Sequence, residues 1–162
     1  MKYWIVAITR ADLEQCLKLG KYGRNSDCLI KKASEGDKLV FFATGERKII
    51  ALGEVVRPCY RDYSKVFRAT QQLIEEFGDD FPGIYYYPHR IDFTHEMLSP
   101  PVDLAPLVRD MDFIKNPEYP HASYRRGFAD ITERDWDTIS KAIHKTSSSA
   151  KSTGKKPHSK SV

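Results

Sequence analysis

The sequence predicts a single α+β domain whose small, mostly antiparallel sheet is able to close into a barrel. The chain has 162 residues, about the length of one domain. Short apolar stretches with strand-like patterning recur along it and are interrupted by helical stretches, without an internal repeat. Hydrophobic residues make up 41% of the chain, which is enough for one core and too much for a disordered chain.

Consecutive motifs predict the first strand and the first helix. Residues 3–8 form an apolar run typical of a strand. Thr9 and Asp12 then have the spacing of a capping box, which satisfies backbone N–H groups at a helix start. Two leucines four residues apart follow on one helical face, and Gly20 is a natural stop. We therefore predict a strand followed directly by a helix.

A hairpin is predicted next along the chain. Gly36 and Asp37 form a turn, and strands are expected over residues 38–43 and 48–56. The connection at residues 44–46 is short enough for a hairpin.

The second half alternates between helices and one clear strand. Helical spacing with Ser64 as N-cap predicts a helix over residues 64–77. A Gly-, Pro- and Tyr-rich loop at 82–88 precedes a half-buried strand at 90–95. A short helix is expected from about residue 105 to 111.

A closing helix begins at a second capping-box pattern. Thr132 and Asp135 have the required spacing, and apolar residues follow at Trp136, Ile139 and Ile143. This spacing places the three apolar side chains on one helical face.

Basic residues are concentrated at the C-terminus. Five of the 26 Lys and Arg residues lie within residues 145–162, where there is no acid, so residues 1–144 carry 21 basic and 22 acidic residues. The Ser- and Lys-rich tail cannot repay its ordering entropy by burial. We predict a domain over residues 1–145 and a disordered tail over residues 146–162. Because the body is nearly neutral, any nucleic-acid contact is expected to be local.

Several classes of protein are disfavoured. No apolar run approaches the roughly 20 residues of a membrane-spanning helix, and the N-terminus lacks a signal-peptide pattern. Three cysteines without a C-x-x-C pair disfavour a disulfide scaffold or zinc site and suit a reducing cytosol. Phosphate-loop, dinucleotide, zinc-protease and hydrolase motifs are absent. We therefore expect a cytoplasmic protein with no membrane partner, no metal, no cofactor and no catalytic residue.

Aromatic side chains are abundant where loops are expected, often beside basic residues. A loop ring has less reason to pack in the core, and it suits stacking on a nucleobase, which is worth about 1–3 kcal/mol. The positions are Tyr22, Tyr60, Tyr63 and Tyr85-Tyr86-Tyr87, with Lys21, Arg61 and Arg90 nearby in the sequence.

Short motifs recur in a recognisable order over residues 2–143. They are Tyr3-Trp4-Ile5, Thr9, Lys21-Tyr22-Gly23, Gly36-Asp37-Lys38-Leu39-Val40-Phe41-Phe42, Gly53-Glu54-Val55, Pro58-Cys59-Tyr60-Arg61-Asp62, Tyr87-Pro88-His89-Arg90-Ile91, Phe113-Ile114-Lys115-Asn116 and Gly127. This ordered set resembles the EVE domain family, a member of the PUA-like superfamily related to the YTH readers of N6-methyladenosine. No single motif is specific, and the order and spacing carry the resemblance.

The resemblance implies a PUA-like twisted β-barrel of about five to six strands flanked by short helices. It also implies a pocket at one mouth for a modified, methylated base flipped out of DNA or RNA. Matching positions place Thr9, Lys21, Tyr22, Gly23, Tyr60, Asp62 and Arg90 at this pocket, and Tyr87 is expected to offer a further wall. We expect Arg125 and Arg126 to hold phosphates. A monomer with a nuclease or AAA+ partner is also expected.

Alternative interpretations stay open for these residues. Tyr22 is either a cage wall or a core residue, and Gly23 either lines the pocket or provides a positive φ after a turn. Arg90 either contacts the base or pairs with an acid on the sheet. A different class of function is a small-molecule or enzymatic pocket on the same barrel, with Asp62 or His121 as acid/base.

Overall fold

A computed structural model describes residues 1–26, 28–64, 66–67 and 87–160, the last fourteen of them by their backbone alone. The helix predicted over residues 64–77 and the loop predicted over 82–88 lie almost entirely outside the described residues. Within the described part of the chain, no helix is both long and apolar enough to cross a membrane.

The described residues form one curled six-stranded sheet flanked by helices, with strand order β2-β5-β4-β3-β1-β6. The strands are β1 Tyr3–Ile8, β2 Lys21–Arg24, β3 Lys38–Ala43, β4 Lys48–Arg61, β5 His89–Asp103 and β6 Phe128–Ile131. The α-helices are α1 Arg10–Leu19, α2 His121–Tyr124 and α3 Glu133–Lys160, and 3-10 helices span Ile30–Lys32 and Ala105–Asp110. The predicted α+β architecture is confirmed.

Alternation along the central strands divides the core into two layers. Trp4 of β1 and Phe41 of β3 belong to the inner layer, inside the curl of the sheet. Their chain neighbours Ile5 and Phe42 point to the opposite face and join an outer layer beneath α3. All four side chains are at most 2% exposed. The β1–β3 pair at the centre is parallel, whereas the other pairs are antiparallel.

The first capping motif and its helix are confirmed. Thr9 Oγ1 accepts from the Asp12 backbone N–H at 3.4 Å. Gly20 ends α1 with a φ of 68°, and its N–H donates to the Cys16 carbonyl at 2.8 Å. A left-handed residue at this position favours glycine because it has no Cβ.

The second capping motif forms a reciprocal pair at the start of α3. The Asp135 N–H donates to Thr132 Oγ1 at 3.1 Å, and the Thr132 N–H donates to Asp135 Oδ2 at 3.0 Å. The fully buried Asp135 carboxylate also accepts from the Phe113 N–H at 3.2 Å. It thereby ties the helix to the preceding loop.

Helix α3 continues across the segment for which composition predicts disorder. Its backbone is helical as far as Lys160. The side chains of residues 147–160 lie outside the described residues, so the domain boundary near residue 145 stays a prediction.

Two short edge strands, β2 and β6, do not figure in the sequence-based prediction, which places residues 21–23 in a loop. They are not paired with each other in the sheet. Side chains bridge the gap instead: the Tyr22 ring stacks on Phe128 with centroids 5.5 Å apart, and Arg24 Nη1 donates to the Arg126 carbonyl at 2.9 Å. The curl is thus closed by packing across the gap between β2 and β6.

Candidate functional site

A cavity of about 350 Å³ opens in this gap between the edge strands. Strand β2 and the turn after it contribute residues 22–26, and the turn before β6 contributes Arg126 and Gly127. Its volume is near the lower end of the roughly 300–1,000 Å³ typical of ligand pockets. The cavity is therefore large enough for one small ligand group.

Tyr22 lies in strand β2 and not in a loop, and its ring is core-packed. It is 4% exposed, and its hydroxyl accepts from Arg24 Nη1 at 3.0 Å and lies 3.5 Å from the Gly127 carbonyl. The prediction of an exposed loop tyrosine is wrong, because stacking on Phe128 buries the ring. Tyr22 nevertheless lines the cavity, so it forms part of its floor.

Gly23 and Tyr87 meet at the cavity wall. A Cβ on Gly23 would lie 2.5 Å from the Tyr87 carbonyl oxygen and 2.8 Å from its Cβ. Only glycine fits at this position, because the Tyr87 backbone approaches it too closely for a Cβ. The interpretation that Gly23 provides a positive φ is wrong. The Phe67 ring meets Tyr87 edge-on at 5.8 Å and completes this wall.

Arg90 is fully buried and supports the cavity wall that Tyr87 and Phe67 form. Its Nε donates to the Tyr87 carbonyl at 3.1 Å, its Nη1 donates to Ser64 Oγ at 2.9 Å, and the Phe67 ring lies 5.1 Å from its Cζ. Nη1 also lies 3.5 Å from Asp62 Oδ2. The interpretation of Arg90 as an acid-paired residue is confirmed. Neither Arg90 nor Asp62 lines this cavity, so their contact with a base stays a prediction.

Lys21 and Tyr60 form a separate polar cluster around Asp92. Lys21 Nζ donates to Tyr60 Oη at 3.0 Å and to Asp92 Oδ1 at 2.9 Å. These two hydrogen bonds raise the pKa of Lys21, while burial and the Asp92 hydrogen bond raise the pKa of Tyr60. By alternation along β2, Lys21 points away from the face that bears Tyr22. The structure therefore places Lys21 and Tyr60 outside this cavity, and their predicted role in base binding stays a prediction.

Thr9, Arg125 and Arg126 lie close to the cavity without forming one cluster. Thr9 caps α1 and shares a neighbouring shallow depression with Arg125. Arg126 is exposed and lines the cavity itself. The two arginines therefore lie beside the cavity, and their role in binding phosphates stays a prediction.

Sequence reasoning missed one whole wall of the cavity. Asp12, Gln15 and Cys16 line it from α1, and Arg24 and Phe67 line it from other segments. The spacing of the three α1 residues at i, i+3 and i+4 shows that they share a helical face. That spacing alone did not distinguish a cavity from an ordinary partly buried helix.

Buried acids in the cavity lining predict a loss of stability at alkaline pH. Burial raises the pKa of Tyr22 from 10.0 to about 12 and that of Cys16 from 9.0 to about 12. A raised pKa in the folded state means that stability is complete below the unfolded pKa and is lost as the pH rises toward the folded one. We expect the free energy of unfolding, measured by urea denaturation, to fall as the pH rises from about 9 to about 12.

The Cys16→Ala variant is the control for this pH dependence. Its alkaline loss should begin about one pH unit higher, because only Tyr22 remains of the pair. Identical pH profiles for the variant and the wild type would contradict the prediction for Cys16.

The curled six-stranded sheet, the capping helices and the cavity between the sheet edges define a PUA-like α+β domain. The EVE domain model matches residues 2–142, and the chain belongs to this family. The family resemblance seen in the sequence is confirmed.

Known relatives and structures agree with this assignment. The chain is 23% identical to the UPF0310 protein PH1033 of Pyrococcus horikoshii, over 88% of this chain and 99% of the relative. It is similar in fold to a hypothetical protein from Leishmania major, with a TM-score of 0.63, 14% identity and coverage of 91% and 97% of the two chains. It is also similar to the Pho92 YTH domain in complex with m6A, with a TM-score of 0.57, 12% identity and coverage of 88% and 82%.

Proposed function

We propose that the protein is a nucleic-acid-binding module that reads a modified base flipped into the cavity between β2 and β6. The cavity carries this proposal, because it combines a base-sized volume, aromatic walls, polar groups and an arginine at its rim. A domain of the same fold, the Pho92 YTH domain, is described in complex with m6A. That description supports the class of ligand.

The chemistry of the lining suits a heteroaromatic base. Tyr87 and Phe67 offer apolar ring surface, and an added methyl group gains stabilisation by burial against such surface. Asp12, Asn25 and Ser26 offer hydrogen-bonding groups for the polar edge of the base. A base paired in a duplex hides that edge, so reading it in a cavity requires the base to be flipped out.

Arg126 and Arg125 are the proposed phosphate contacts at the rim. Both are exposed, and they follow α2 directly before the turn that lines the cavity. Phosphate contacts position a nucleic acid without reading its sequence. Because the rest of the body is nearly neutral, these two arginines would confine phosphate binding to the rim of the cavity.

Catalysis by Asp62 or His121 is the weaker alternative. The Ser64 backbone N–H and the charge of Arg90 lower the pKa of Asp62, which disfavours it as a proton carrier near neutral pH. His121 lies in the neighbouring depression, with its ring edge-on to Tyr124 at 5.7 Å. Among the described residues, neither lines the cavity. We therefore propose binding rather than catalysis, and a nuclease or AAA+ partner stays a prediction.

The proposal is tested with fluorescent 12-mers of RNA and DNA that carry N6-methyladenine, 5-methylcytosine or no modification. We expect one methylated probe to bind about fourfold more tightly than its unmodified match, because burial of one methyl group contributes about 0.8 kcal/mol. Arg126→Ala should weaken all probes alike and reduce the salt slope by about 0.7–0.9, the effect of one phosphate contact.

Arg109→Ala is the matched control for Arg126→Ala. Arg109 is also exposed, but it pairs with Glu118 at 3.1 Å on the side of the outer layer. Arg109→Ala should leave the affinity for every probe unchanged. Equal affinity of the wild type for every modified and unmodified probe would refute the proposed reading of these modifications.

A further inference from the structure

Three basic residues lie side by side across the end of the sheet. Arg61 of β4 is opposite His89 of β5, and His89 is opposite Arg24 of β2. Opposed residues of antiparallel strands point to the same face, and strands are about 4.8 Å apart. The basic row, defined as Arg61, His89 and Arg24, therefore crosses about 10 Å of the sheet.

The row ends at the cavity. Arg24 lines it, and its Nη1 donates to Tyr22 Oη at 3.0 Å and to the Arg126 carbonyl at 2.9 Å. Tyr22 belongs to the inner layer, so the row lies on the face of the sheet that bears the cavity. An anionic chain bound along the row would lead directly to the cavity rim.

The row has no acidic counterpart among the residues that the structure describes. None of its three members forms an ion pair with a described carboxylate. The nearest acid in the sequence, Asp62, is engaged by Arg90 at 3.5 Å and by the Ser64 N–H at 2.8 Å.

An exposed aromatic residue follows the far end of the row in the sequence. Tyr63 follows Arg61 by two residues and is 59% exposed. Basic residues that track a backbone, together with rings that stack on bases, are the composition of single-strand binding sites.

We infer that the basic row binds the phosphates of one single nucleic-acid strand, which runs from the cavity across β5 toward Tyr63. This inference rests on the proposed function, and it adds the form of the nucleic acid and its path over the protein. The row is long enough to contact neighbouring phosphates of one strand. A free nucleoside in the cavity cannot reach Arg61.

The test compares Arg61→Gln with Arg57→Gln. Arg57 lies on the same strand and is exposed, but it stacks on the Tyr60 ring at 3.7 Å and is opposite Asp92, on the other face of the sheet. The two variants lose the same charge, so a difference between them reports the position of the charge. The melting temperature of Arg61→Gln should stay at the wild-type value, and that of Arg57→Gln should fall by about 2–4 °C, because its contact with the Tyr60 ring is lost.

The probes are an unmodified thymidine 12-mer, the same 12-mer with one central N6-methyladenine, and a 12-base-pair duplex. We expect Arg61→Gln to weaken both single strands by the same factor, roughly three- to tenfold at about 50 mM salt, and to reduce the salt slope by about 0.7. Arg57→Gln should bind as the wild type does. Tyr63→Ala should weaken the single strands and leave the duplex unchanged.

Two results would overturn the inference: equal affinities of Arg61→Gln and Arg57→Gln for the thymidine 12-mer, or a loss on the duplex as large as that on single strands. Failure of the proposed function has a different signature. If the proposed function fails, the wild type binds methylated and unmethylated strands with equal affinity. The thymidine 12-mer then still tests whether the basic row binds phosphates.

Discussion

Arg90→Met is expected to lower the free energy of unfolding by about 3 kcal/mol. The substitution removes hydrogen bonds from a fully buried guanidinium to Ser64 and to the Tyr87 carbonyl. Hydrogen bonds to charged groups contribute about 1.5–3 kcal/mol each, and methionine keeps only the apolar volume. Chemical denaturation followed by tryptophan fluorescence measures the change.

The same substitution should damage the cavity. Arg90 holds Tyr87 through its carbonyl and supports the Phe67 ring, and both residues line the cavity. Affinity for a methylated probe should therefore fall even where the variant is fully folded. Arg90→Lys keeps the charge but lacks the planar fork, so we expect it to restore only part of the stability. A loss below about 0.5 kcal/mol for Arg90→Met, the range of ordinary surface substitutions, would contradict the structural role.

Elements with a local signal were predicted well from the sequence. Strand β3 has the predicted bounds of residues 38–43, and α1 begins at its capping motif and ends at Gly20. The start of α3 at Thr132 was equally clear. In each case the residues that define the element are within a few positions of one another, so a short stretch of sequence is enough to predict the element.

Elements that depend on distant partners were not predicted. Strand β2 has only four residues, and its identity follows from pairing with β5, about 70 residues later. Tyr22 is buried by Phe128, which is more than 100 residues away. The cavity joins α1, β2, Phe67, Tyr87 and the turn before β6. No pattern within a short stretch of sequence indicates that these distant segments come together in the fold.

Some of the residues matched to the family line the cavity and others do not. Tyr22, Gly23 and Tyr87 lie at the cavity, because the common fold brings those positions to the gap between the sheet edges. Tyr60 and Asp62 were included because they are aromatic and acidic near a strand end. Their actual partners are Asp92 and Arg90, which make them parts of the scaffold.

Tyr22→Ala is expected to have the largest effect of all, a loss of about 3–5 kcal/mol in the free energy of unfolding. The ring is 4% exposed and stacks on Phe128, so truncation leaves a void where the sheet edges meet. Tyr22→Phe keeps that ring and removes only the hydroxyl that accepts from Arg24, at a cost of about 1 kcal/mol. Tyr119→Ala is the control, because its ring is 71% exposed.

These variants separate the two roles that the sequence left open for Tyr22. A cage wall that carries only ligand contacts predicts nearly unchanged stability in Tyr22→Ala and a binding loss of about 1–3 kcal/mol. A core residue that also floors the cavity predicts the large stability loss, with Tyr22→Phe binding a methylated probe almost as tightly as the wild type. Urea denaturation and probe affinity measured on the same preparations decide between these roles. A Tyr22→Ala protein as stable as Tyr119→Ala would show that the sheet edges hold together without this ring.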